Sequence, residues 1–229
     1  MAKRLKRKQT NRKVGRVYFV SAGPGGPELL TKRGEKLLME ADCVIYDRLA
    51  NPRIVRLAPQ GAEMLDVGKT PGEGGKTQPT IDQALVREAK RHRVVVRLKG
   101  GDSVIFGRLS EEMTVLKRAK IPYEVVPGVS SIQAAGAYAG IPLTDRDLSS
   151  SLTIVTGQEA LTKSRSSVAW KALAKGSDTL VILMGVKRLP EIVQALRKAG
   201  RGAQTPIALV RWAGRPDQTV LTATLATIT

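Results

Sequence analysis

Three places in the chain set a chemically capable residue at the end of an apolar run. Asp47 follows CVIY directly, Lys69 follows EMLDVG, and the Gly-Gly-Asp of LKGGDSVIFGR follows VVV. If those runs are strands of an open α/β sheet, an acid, a base and a glycine turn all project from carboxyl ends, where such sheets bind ligands. Any one of them alone reads as a surface charge, but three in register predict a cleft. Gly100 and Gly101 let the backbone pack close to a ligand, and Asp102 offers a carboxylate to hydroxyls or an amine. A further loop, SAGPGGPELL, follows the first apolar run, and its three Gly and two Pro force a sharp turn. It is not a dinucleotide fingerprint, because Glu28 stands where the third glycine belongs.

Other patterns carry less. GEGGKT ends like a phosphate loop, but Thr70 occupies the place of the required first glycine. His92, in KRHR, reads as a solvated side chain compensating a helix C-terminus, and Cys43 as a small buried hydrophobe. With one His and one Cys in the chain, neither a Cys/His protease pair nor a zinc cluster is expected, and no metal is expected. The basic residues lack the aromatic interleaving of single-strand nucleic-acid binders.

The elements that must position these residues follow from periodicity. VYFVSA (17–22), CVIY (43–46), EMLDV (63–67), VVVRL (94–98) and YEVV (123–126) read as strands. Between them, ELLTKRGEKLLMEA and PTIDQALVREAKRH repeat apolar residues every three or four positions, as amphipathic helices do. A second set follows: strands at 151–156, 179–184, 207–211 and 219–225, with helices near 167–174 and 188–199. Strands alternating with helices imply a mostly parallel sheet covered on both faces. PGVSSIQAAGAYAGIPLT, rich in small residues, reads as beginning with a linker. The expected organisation is a basic, flexible tail (1–15), an N-terminal α/β domain (16–127) and a C-terminal α/β domain (128–229).

Composition agrees with that class. The 229 residues are 42% apolar and 25% charged, with 3% aromatics, so the core is aliphatic and wholesale disorder is excluded. A single cysteine excludes an internal disulfide framework. No apolar run reaches the roughly 20 residues of a membrane span, and the basic start lacks the apolar stretch of a secretory signal. A soluble, cytoplasmic protein is expected, with no membrane partner. Net charge is +18; residues 1–16 hold eight Lys or Arg and no acid, and the remaining body is basic as well. Such a body points to an anionic partner: nucleic acid, phosphate or a polycarboxylate.

The runs VYFVSAGPGGPELLTKRGEKLLMEADCVIYDRL, VRLKGGDSVIFGR and VVPGVSSIQAAGAYAGIPLT, in that order, resemble the tetrapyrrole (precorrin) methyltransferases, and the resemblance extends from Gly15 to the C-terminus. It implies the tetrapyrrole methylase fold, two α/β domains with S-adenosylmethionine in the cleft between them, in a homodimer. It implies methylation of uroporphyrinogen III at two ring carbons, C2 and C7, to give precorrin-2, with S-adenosylhomocysteine released. By motif position, Pro24, Gly100, Gly101, Asp102, Ile105, Ser130, Ser131, Met184 and Ala213 resemble the family's cofactor contacts. Asp47 of YDRL resembles its proton acceptor, Lys69 of VGK its proton donor, and Arg108 of FGR a ligand for substrate carboxylates. The chain departs from the family at Gly26, Leu109, Ser110, Asp145 and Gln158, where Asp, Gly, Gly, His and His are common. Relatives also continue past LATIT through a further helix and strand. The competing readings are a methyltransferase of the same fold acting on a later corrinoid precursor or on RNA, and a non-catalytic tetrapyrrole-binding protein. The chain carries no recognisable RNA-binding module, so no specific nucleic-acid partner is expected.

Overall fold

The computed structural model describes residues 14–68, 78–158 and 168–229. The expectations for the tail at residues 1–13 and for Lys69 lie outside them. Two compact units emerge. One takes in the chain as far as Ala22 together with Leu30–Gly128, and the other Gly23–Leu29 with Val129–Thr229.

The first unit is built on a five-stranded parallel sheet: β1 (Arg16–Ser21), β2 (Cys43–Tyr46), β3 (Glu63–Asp66), β4 (Val94–Lys99) and β5 (Tyr123–Val126), in the order β3-β2-β4-β1-β5. Both faces are covered, which is why the strands read as continuous apolar runs rather than alternating ones. Val17, Phe19, Ile45 and Val95 face Ala84, Leu85 and Leu116 of α3 (Gln78–Arg91) and α4 (Leu109–Arg118). On the other face Val20, Val44, Val96 and Leu98 pack with Leu37 and Leu38 of α1 (Lys32–Met39) and Ile54 of α2 (Pro52–Val55). Thr31 caps α1 by accepting from the Gly34 amide at 3.1 Å, and Asn51 caps α2 through the Arg53 amide at 2.9 Å. Each cap satisfies an otherwise orphaned donor.

The second unit contains α5 (Ser131–Ala139), α6 (Trp170–Gly176) and α7 (Leu189–Lys198), a parallel pair β6 (Leu152–Thr156) and β7 (Thr179–Leu183), and an antiparallel pair β8 (Pro206–Arg211) and β9 (Thr219–Thr224). Ala174, Ile192, Val193, Leu196, Leu225 and Ile228 form its core. The small-residue run begins with a loop at residues 127–130 and continues as a helix that the periodicity did not mark. Ser130 opens α5 with a reciprocal capping box to Gln133, and Gly140 closes it in the left-handed conformation. The β8–β9 pair is antiparallel because residues 212–218 form a turn too short for a parallel crossover of a dozen or more residues. Residues 23–29, expected in the N-terminal domain, group with the second unit. There a side chain at Gly25 would collide with the Gly214 carbonyl, 2.5 Å from where its Cβ would stand.

Candidate active site

In the first unit, the carboxyl ends of β1, β2 and β4 bring several expected residues together. The Gly100–Gly101 turn leaves β4 against the start of the segment after β2: a Cβ on Gly100 would stand 2.7 Å from that of Leu49. Gly101 takes φ +64°, a conformation that costs other residues about 1–2 kcal/mol. The turn therefore presents bare backbone, as close packing against an adenosyl ligand requires. Asp102 holds the loop that follows. One oxygen accepts from the Val104 amide at 2.8 Å and the other from the Gly128 amide at 2.9 Å, and each keeps a lone pair for a ligand. Beneath it, the buried Ser21 hydroxyl accepts from the Ser103 amide at 3.0 Å and lies 3.1 Å from the Ser103 hydroxyl. Ile105 and Phe106 then face solvent.

Asp47 sits at the tip of β2, one oxygen accepting from the Leu49 amide at 3.1 Å and the other from Arg97 Nη2 at 3.3 Å. Arg97 was not singled out by the sequence reading, and it is almost wholly buried. It also reaches Glu112 Oε1 at 3.3 Å and the Leu98 carbonyl at 3.0 Å. Lys99 Nζ donates to the same Glu112 oxygen at 2.9 Å. Burial, followed by the neighbouring Arg97 charge, pulls the Lys99 pKa down from its usual value. Glu112 Oε2 is left without a partner among the described residues. Two cations and the Glu112 carboxylate thus form one buried cluster under Asp47, which Arg97 joins to it. The available signal was VVVRLKGG itself: two cations two residues apart on a central strand must share a face.

Arg108 is exposed and held by a bidentate fork to Glu111, at 2.8 and 2.7 Å. That hydrogen-bonded pairing raises the Arg108 pKa and lowers that of Glu111. Arg108 itself adopts φ +55° and immediately precedes α4, which begins at Leu109 where the family commonly has glycine.

The second unit carries the remaining expected cofactor contacts. Pro24 precedes Gly25, which packs against Gly214 in the turn that follows β8. Ala213 is buried in that turn, which is pinned by Gln218: its amide nitrogen donates to the Tyr138 carbonyl at 3.0 Å and its oxygen accepts from the Gly214 amide at 3.0 Å. Arg215 stacks on Trp212, 4.0 Å from the ring centroid. Ser130 spends its hydroxyl on the α5 cap, with Ser131 next to it in the first turn. Met184 follows β7, half exposed, at φ +59°. Non-glycine residues with positive φ are uncommon and concentrate at functional sites. Among the described residues Phe106, Arg108, Met184 and Trp212 are four of five, and all lie in loops carrying expected contacts. Asp145, the acid at a family histidine position, spends its carboxylate on its own turn, accepting from the Asp147 and Leu148 amides, each at 3.0 Å.

A family model for tetrapyrrole (corrin/porphyrin) methylases matches residues 16–229. The chain is 51% identical over 215 residues to a uroporphyrinogen-III C-methyltransferase of Synechocystis sp., covering 94% of this chain and 82% of the relative. Among solved structures, a uroporphyrin-III C-methyl transferase of Thermus thermophilus complexed with S-adenyl homocysteine is 41% identical, with a TM-score of 0.81 over 93% of this chain and 90% of that one. A cobalt precorrin-4 methyltransferase is 31% identical, with a TM-score of 0.80 over 92% of this chain and 85% of its own. Sequence and fold together therefore place the chain among the tetrapyrrole (corrin/porphyrin) methylases.

Proposed function

We propose that the chain catalyses S-adenosylmethionine-dependent C-methylation of uroporphyrinogen III at C2 and C7, giving precorrin-2 on the way to sirohaem and cobalamin. The observation that carries this reading is the 51% identity, sustained over nearly the whole chain, to a protein with that activity. When bound, S-adenosylmethionine would supply an electrophilic sulfonium methyl to the reacting carbon. The residues proposed to hold it are Gly100, Gly101, Asp102 and Ile105 in the first unit and Pro24, Ser130, Ser131, Met184 and Ala213 in the second. What supports them is the bare glycine turn, the braced Asp102 loop and the strained backbone at Met184 and beside Ala213.

A pyrrole carbon that gains a methyl becomes cationic, and loss of a proton elsewhere on the macrocycle restores neutrality. Asp47 is the base we assign to that proton. Its bond to the buried Arg97 orients the carboxylate at the tip of β2. Lys69, as proton donor, stands on motif position alone. Arg108 is assigned to the substrate's carboxylates; its exposed pairing with Glu111 is of the kind worth under about 1 kcal/mol, so a polyanionic substrate can displace it. The basic body then steers the polyanion inward. On this reading the enzyme is a cytoplasmic homodimer. Apolar residues exposed on strand β9, Val220 and Leu221, are of the kind a second copy covers, and sedimentation tests that state. No described helix is long and apolar enough to cross a membrane.

Incubation with S-adenosylmethionine and freshly reduced uroporphyrinogen III, followed by absorption spectra and product mass, tests the activity. The expected product carries two added methyl groups. Turnover only of a later corrinoid precursor would favour the specificity of the cobalt precorrin-4 relative instead.

A further inference from the structure

At the amino ends of β2 and β3, away from the proposed active site, metal-ligating side chains converge. Cys43 opens β2 and Glu63 opens β3, and the two are register partners in neighbouring parallel strands, so both side chains leave the sheet on one face. Helix α3 covers that face beside Cys43. It carries Glu88, and His92 follows its last residue one turn on, its amide donating to the Glu88 carbonyl at 2.9 Å. The Cys43 sulfur, a Glu88 carboxylate oxygen and a His92 ring nitrogen all lie within 4.8 Å of one another. His92 Nε2 is 3.1 Å from Glu63 Oε2 and 3.5 Å from Glu88 Oε2. Cys43 and Glu88 are fully buried, while His92 forms the rim.

In the absence of a metal this is an awkward group to bury. Burial, then the charges of Glu88 and Glu63, push the Cys43 thiol up to about 12. The buried Glu88 depends on Arg87 and on Arg91, whose Nη1 lies 2.6 Å from Glu88 Oε2 and 3.2 Å from Glu63 Oε1. A divalent ion at the centre would offset two of the three negative charges of the carboxylates and the thiolate, and Arg87 and Arg91 balance the remainder. Sulfur, imidazole and carboxylate in a four-donor set match a borderline-soft, tetrahedral ion and not an all-oxygen cation such as Mg²⁺ or Ca²⁺.

We propose that Cys43, Glu63, Glu88 and His92 form a structural Zn²⁺ site that clamps α3 to β2 and β3. On binding, the Cys43 thiol loses its proton to solvent and the thiolate joins the ion; nothing is oxidised or reduced. Cys43 lies four residues from Asp47 along an extended strand, roughly 13 Å, so the ion acts on the fold and not on methyl transfer.

The chain has a single Cys and a single His, which makes the test specific. Chelator-treated full-length protein is titrated with Zn²⁺ by calorimetry and with Co²⁺ by absorption. One equivalent of Zn²⁺ should bind, release about one proton above pH 7 and raise Tm, and Co²⁺ should give a thiolate charge-transfer band that only Cys43 can supply. His92→Gln, on the partly buried rim, should weaken Zn²⁺ binding at least about tenfold while leaving methyl transfer intact. Cys43→Ala should abolish the band; because it alters the core, the His92 variant decides the matter if it fails to fold. Absence of the band in the unaltered protein, or unchanged Zn²⁺ affinity in His92→Gln, would overturn the proposal.

Discussion

Asp47 has one carboxylate oxygen on its own loop and the other on a buried guanidinium, so it is oriented as well as charged. Asp47→Ala should slow methyl transfer by roughly 10²–10⁴, the range for a lost general base, with S-adenosylhomocysteine affinity by calorimetry unchanged. Asp47→Asn keeps the side-chain shape and one of the two accepted hydrogen bonds but cannot accept the proton; if it turned over normally, the role of Asp47 would be purely structural. Arg108 is exposed, and its side chain hydrogen-bonds the equally exposed Glu111. Arg108→Ala should therefore raise KM for the tetrapyrrole with little change in kcat, the signature of lost uniform binding.

The strands and helices impose stricter limits than these loops. Strand β4 crosses the middle of the sheet carrying Arg97 and Lys99, and α4 supplies Glu112 between them. Removing one partner of a buried ion cluster leaves uncompensated charge, at about 3–5 kcal/mol. Glu112→Gln should lower the unfolding free energy by an amount in that range, read from urea titration. In the second unit, Asp178 joins the start of β7 to that of β6. A single Asp178 oxygen accepts from the Ser150 and Ser151 amides at 3.0 and 2.9 Å and from the Ser151 hydroxyl at 2.8 Å. These bonds, the Ser151 hydroxyl first, lower the Asp178 pKa. A carboxyl lowered on folding adds stability above its unfolded value of about 3.9 and loses it as pH falls through the folded one. Asp178→Asn should thus lower Tm at neutral pH, and the difference should shrink as acid is added below pH ~4.

At the scale of the whole molecule, the basic N-terminus precedes every strand and every proposed site residue. Deleting residues 1–13 should leave methylation of uroporphyrinogen III unchanged. Any RNA affinity of the full-length chain should be non-specific and fall steeply with salt through counterion release; a salt-insensitive, sequence-selective complex in a filter-binding assay would contradict this. The sequence alone determined where the strands and most helices lie along the chain, because doubly covered parallel strands must be apolar throughout and amphipathic helices must repeat every three to four residues. It also marked the loops after β1, β2 and β4, since glycines and charges at strand ends are visible without coordinates. Helix α5 escaped notice because Ala, Gly and Ser give little amphipathic contrast, although its capping box, Ser130 with Gln133, was there to be read. Only the tertiary structure decided that Gly25 packs against Gly214, that Arg97 meets both Asp47 and Glu112, and that Cys43, Glu63 and His92 share one face. The physical reason is common to all three: such partners are 15 to 189 residues apart. Which of them meet is set by strand order, register and helix rotation, and local composition records none of these.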